Sequence, residues 1–171
     1  MRRTLVKLLI YTASLLASLI LLSPAQSQTP GIKKETTMRA TGPFEVKMLP
    51  QDDKLGDGIT RMLLDKHYHG DLDGASKGQM LTTGISANKS GAYLAMETFT
   101  GTLQAGSEKK TGTFALHHTG IMHAGAPDLA INVVPDSGTG QLTGISGKMT
   151  IIIAADGTHS YDFEYTLPTP K

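Results

Sequence analysis

The chain has 171 residues, a formal net charge of +1 and no cysteine. That length fits one domain with a hydrophobic core of its own, and the absence of cysteine means the fold must hold without disulfides. A near-neutral charge argues against nucleic acid as the main partner, because phosphate binding needs a basic field, and the even mixing of polar and apolar residues argues against a disordered chain. Aromatics make up only 5% while glycines number 19, the balance of many bends joining short strands.

Residues 1–27 read as a targeting segment. Arg2, Arg3 and Lys7 form a positive start, and residues 8–22 are an apolar run of 15, shorter than the roughly 20 needed to span a bilayer. Small residues offer cleavage after Ala25 or after Ser27; the alternative is an uncleaved anchor. Arg2-Arg3 also loosely matches a twin-arginine signal, so both export routes stay open. The expected destination is the periplasm or the extracellular space, with no membrane attachment after cleavage. Residues 28–36, with Pro30, Gly31, Lys33 and Lys34, form a polar tether expected to be disordered.

Residues 37–168 read as one β domain. Alternation predicts strands over 38–48, 60–69, 75–83, 91–103, 113–122, 128–135, 148–154 and 159–167. The organising stretch is 62–80. Met62, Leu64 and Tyr68 share one face with the aliphatic stem of Lys66 between them, and Gly70-Asp71-Leu72-Asp73-Gly74 reverses the chain. In the fourth strand Tyr93, Ala95, Glu97 and Phe99 oppose Ala92, Leu94 and Met96, so both faces carry apolar residues. Such a strand suits a barrel buried inside and in a subunit contact outside, which makes a homo-oligomer an expected partner state. In the fifth, Phe114, Leu116, His118 and Met122 align. Asp136-Ser137-Gly138-Thr139-Gly140 reads as the most flexible connection, and Asp156-Gly157 as a tight hairpin turn. No stretch of helical period competes. The fold class is all-β: a single antiparallel eight-stranded barrel, of a size whose interior is filled or holds one small ligand.

Several blocks in order carry a resemblance: Met38-Arg39-Ala40-Thr41-Gly42-Pro43-Phe44-Glu45-Val46, His69-Gly70-Asp71-Leu72, Ser76-Lys77-Gly78 and Gly101-Thr102-Leu103, then Gly112-Thr113-Phe114-Ala115-Leu116, His118-Thr119-Gly120, residues 135–140 and His159-Ser160-Tyr161. Together they resemble an uncharacterised, mainly bacterial family, domain of unknown function 3224, over residues 37–167. The resemblance implies a barrel of the allene-oxide-cyclase type and no established activity. The leader departs from the family's pattern and weighs against a cytoplasmic role.

Two constellations invite chemistry. His67-Tyr68-His69 places two imidazoles on one strand face with Asp73 nearby, as a cupin metal site does, but the glycine and later histidine block of a cupin are missing and the pair opposes the apolar face. No metal and no cofactor is assigned. Glu97 and His118 are the better pair, each in mid-strand among apolar neighbours. Facing inward they could orient a ligand's polar end or act as acid and base; the structural alternative is a polar bridge that fixes strand register. Tyr93, Phe114, Leu116, Tyr161 and Phe163 are candidate lining residues. Three functions follow: a lumen that binds a small, largely apolar molecule; a cyclase or isomerase acting on such a molecule; and a filled barrel whose outer surface mediates oligomerisation.

Overall fold

The computed structural model describes residues 36–52 and 58–168. The leader, nearly all of the tether, and Asp57 of the turn before the second strand lie outside those residues. Eight strands follow in chain order: β1 (Met38–Pro50), β2 (Thr60–Tyr68), β3 (Leu72–Thr82), β4 (Gly91–Ala105), β5 (Glu108–His123), β6 (Ala126–Val133), β7 (Ser146–Ile153) and β8 (His159–Thr166). Each pairs antiparallel with the next, and β8 returns to β1, so the sheet is a closed ring. Among the described residues the only helical element is a 3-10 turn, Gly140–Leu142.

The predicted strands all form, but β3 and β5 begin earlier than their composition implies. Gly70 adopts a φ of +93°, which a side chain resists, and so turns the chain within three residues. Asp71 then anchors to β1 through its N–H to Thr41 O at 3.0 Å and its carboxylate to Thr41 N at 2.8 Å. Leu72 is therefore already in register opposite Leu103. In β5 the polar residues 108–112 continue the ladder as an exposed ribbon against 101–105, because ladder bonds do not require apolar side chains.

Strict alternation sets which side chains enter the ring. The inward register carries Phe44, Tyr68, Phe99, Phe114, Phe163 and Tyr165, all buried. These rings form one ladder with centroid separations of 5.1–5.6 Å, from Phe44–Tyr68 through Phe99–Phe114 to Phe163–Tyr165. Such contacts add about 0.5–1.5 kcal/mol each beyond their burial. All four phenylalanines of the chain stand in it, so a sparse aromatic content is spent on one end of the barrel.

The connection from β6 to β7 closes that same end. Leu142 and Ile145 are buried in the core. Thr139 donates its N–H to Thr113 O at 2.9 Å, and Ser137 Oγ donates to Val134 O at 2.6 Å while accepting from Ala115 N at 3.0 Å. The stretch expected to be the most flexible is therefore pinned along β5: its glycines permit close approach to the sheet, and its hydroxyls bond to backbone. At the opposite end the ring is looser. β6 and β7 share only the pairs Ile131–Met149 and Asn132–Lys148.

Candidate functional site

Glu97 and His118 both face inward, on neighbouring strands, with His118 Nε2 3.1 Å from Glu97 Oε1. Three further side chains, none of them among the sequence-predicted site residues, complete it. Lys66 Nζ donates to the same Oε1 at 2.9 Å, and Ser76 Oγ donates to Oε2 at 2.9 Å. Tyr68 adds its hydroxyl to Oε1 at 3.1 Å. Lys66 also lies 5.4 Å over the Phe44 ring.

The lysine was readable as an inward residue from its parity with Leu64 and Tyr68; treating only its stem as buried was the error. Its whole side chain is buried, because an ionised carboxylate stands within reach of the ammonium. The signal for Ser76 was the run of small residues on the inward register of β3, Gly74, Ser76 and Gly78. Gly78 pairs with Glu97, and a methyl group at Gly78 would lie 2.5 Å from Glu97 Cβ. That small row is what lets two long charged side chains lie across the lumen.

Burial by itself pushes the Glu97 carboxyl up, but the hydrogen bond from His118 and the Lys66 charge outweigh it and leave the pKa lowered to about 2. Glu97 is thus a carboxylate throughout the neutral range. Burial, reinforced by the Glu97 charge, holds the Tyr68 phenol well above its usual range, so Tyr68 serves as a neutral donor.

A depressed carboxyl has a signed consequence. The ionised Glu97 contributes stability that is complete above its unfolded pKa of about 4.5 and is lost as pH falls toward its folded value near 2. The midpoint of urea unfolding is therefore expected to drop between pH 4.5 and 2, and to drop less steeply in Glu97→Gln. Parallel profiles for the two proteins would show that this carboxylate does not carry the acid sensitivity.

The other candidates separate into two groups. Phe114 and Phe163 are buried in the aromatic ladder, and Leu116 is buried directly opposite Glu97 in the β4–β5 register. Tyr161 closes the barrel seam instead of offering a free phenol: its hydroxyl donates to His69 O at 3.0 Å and accepts from Leu72 N at 2.6 Å. Tyr93 stands on the other side of the cluster, half-buried, its ring against Gly120.

His67 and His69 are exposed on the outer face, beside Asp65 and Glu45 at 3.6 and 2.9 Å. Among the described residues no group of three or more His, Asp or Glu side chains is placed to hold a metal ion.

A concavity of about 810 Å³ lies outside the lumen. It crosses the outer face of β3–β5 over Leu81, Leu94, Met96, His117 and Thr119. Glu97 and His118 border it only from beneath, since their side chains are buried on the inward register.

These features define a closed antiparallel β-barrel protein with an ionic cluster inside. The family model described as Protein of unknown function (DUF3224) matches residues 40–165, and the chain belongs to that family. It is similar to a solved structure of a protein of unknown function from the DUF3224 family of Shewanella oneidensis MR-1, at 38% identity and a TM-score of 0.70, covering 79% of this chain and 100% of that one. No curated protein matches it.

Proposed function

We propose that this is an exported binding protein that holds a small, largely apolar molecule in the upper half of its barrel, on top of the Glu97 cluster. The observation that carries this is a gradient of burial along the inward register. Beyond the cluster, away from the aromatic ladder, Met48, Met62, Met80, Tyr93, Met122 and Ile151 are only partly buried or exposed, whereas the same register below is sealed. A lining of flexible methionines above a few convergent polar groups suits an apolar guest. The two-pair seam between β6 and β7 leaves the wall at that end weakly joined, which favours entry.

The acidic Glu97 weighs toward binding and away from a cyclase or isomerase that uses this carboxylate, because so weak a base draws protons poorly. Export rests on the leader at residues 1–27, with the mature barrel free of the membrane.

A second reading has its own observation. Leu94 and Met96, 59% and 54% exposed, lie with Leu81 in the outer groove, and a second copy of the chain would cover them.

Native mass spectrometry of protein purified from its own host tests both. A co-purifying small molecule that is lost when Ile151→Trp fills the upper lumen supports binding there. A bare monomer, with no probe taken up from added N-phenyl-1-naphthylamine, rejects both readings.

A further inference from the structure

We infer that the rim of the upper barrel is a soft-metal site, where the thioethers of Met48, Met62 and Met80 hold one copper(I) ion. Such a site depends on strand register and the chemistry of sulfur, and not on the apolar guest proposed above.

Three of the chain's eight methionines stand together on adjacent strands. Met62 on β2 and Met80 on β3 are direct register partners. On β1, Met48 pairs with Leu64 while Pro50 pairs with Met62, so Met48 is the diagonal neighbour of Met62. Parity with Phe44, Tyr68 and Leu72, all buried, puts the three on the inward register. Opposite side chains in a sheet have Cβ atoms about 4.5–5.5 Å apart, and diagonal ones about 7–8 Å. Sulfurs that share an ion stand roughly 4 Å apart, given metal–sulfur bonds of about 2.3 Å. An unbranched side chain with three rotatable bonds covers the difference.

Room and access are both present. Pro50 and Ala95 flank the pair along its row, and Gly78 and Thr82 lie on either side of Met80 along the inward register of β3. None of these four side chains is long. Met62 and Met80 are half-buried and Met48 is 53% exposed, so an ion meets the sulfurs from solvent without entering the ring.

The donor set decides which ion. A thioether is a soft, uncharged ligand that suits copper(I), whereas zinc takes thiolate, imidazole or carboxylate. With three neutral ligands the ion brings a single charge, left in contact with water at the rim. Lys66, two inward positions deeper on β2, repels it little, because Glu97 holds the ammonium at 2.9 Å. In the oxidising compartment to which export delivers a protein, thiols pair into disulfides. This chain has no cysteine, and its thioethers keep their donor there.

The test is anaerobic competition between the mature chain and the copper(I) chelator bicinchoninate, read as loss of the chelate's colour. One equivalent of copper(I) per chain is expected to be withdrawn. Met48→Leu, Met62→Leu and Met80→Leu should each weaken retention at least about 10-fold, since even changes to groups behind a ligand cost about 10–100-fold. The double variant Met62→Leu with Met80→Leu should retain none. Leucine conserves volume and apolar character, so the fold persists, as circular dichroism checks. Met96→Leu, on the outer face, should match wild type, and excess zinc(II) should displace no copper.

No copper withdrawn by the wild-type chain, an equal loss in Met96→Leu, retention unchanged in the double variant, or displacement by zinc would overturn the site. Uptake of N-phenyl-1-naphthylamine by the same samples is read separately. A chain that takes up the probe but no copper rejects this inference alone, and one that holds copper but no probe rejects only the apolar guest.

Discussion

Glu97→Ala is expected to cost about 3–5 kcal/mol of unfolding free energy, the range for removing one partner of a buried ion pair. Four donors lose their acceptor at once: the Lys66 ammonium, the His118 ring, the Tyr68 phenol and the Ser76 hydroxyl. The ammonium is the costly one, because it is buried and its negative partner is gone. Since a domain has only about 5–15 kcal/mol in total, the variant should unfold at much lower urea, followed by circular dichroism.

Two companions locate the cause. Glu97→Gln keeps the shape and one acceptor and should lose less. The double change Lys66→Met with Glu97→Leu removes both charges, and should also lose less than the alanine single, because replacing a buried pair by apolar groups is often close to neutral. A single-variant loss below about 1 kcal/mol would mean that the cluster is not the electrostatic keystone described above.

The second large effect is expected at the barrel seam. In Gly42→Ala the added methyl would sit 1.9 Å from His69 O and 2.8 Å from the Tyr161 hydroxyl. His69 cannot withdraw freely, since its N–H is bonded to Pro43 O at 3.0 Å and its carbonyl accepts from Tyr161. The clash is with the His69 backbone in the turn between β2 and β3 and with the Tyr161 hydroxyl reaching over from β8, so about 3 kcal/mol or more should be lost, at the upper end of overpacking costs.

Tyr161→Phe removes only the hydroxyl that joins Leu72 N and His69 O, and should cost about 1–3 kcal/mol. Thermal melts of the two variants side by side make the comparison. Gly42→Ala melting close to wild type would show that the seam yields where it is described as rigid.

The local pattern carried a large part of this structure. Alternation in 91–103 and 113–122 puts Glu97 and His118 in mid-strand among apolar neighbours, and a two-residue period leaves only two faces to choose between; both faces of 91–103 carry apolar residues, so the inward one was decided by ring closure. The same parity put His67 and His69 outside. Strand ends were less readable. The start of β3 at Leu72 depends on Asp71 bonding to Thr41, thirty residues away in the chain, and no local preference encodes that bond. The loop at 134–145 misled for a related reason: glycine and serine signal a bend equally well whether the loop is free or lies bonded along a strand.

What the amino-acid order determined by itself was the number of strands, which residues share a strand face, and that an acid and an imidazole stand in mid-strand among apolar neighbours. What only the tertiary structure decided was the company they keep. Lys66 and Ser76 reach Glu97 from β2 and β3 across 31 and 21 residues, through ring closure and the room left by Gly78. Ring closure likewise decided that Tyr161 is held by backbone at the seam and that one half of the inward register is packed with rings while the other is only partly buried. Periodicity fixes on which side of a strand an atom lies, whereas its depth, charge state and partners depend on strands distant in sequence.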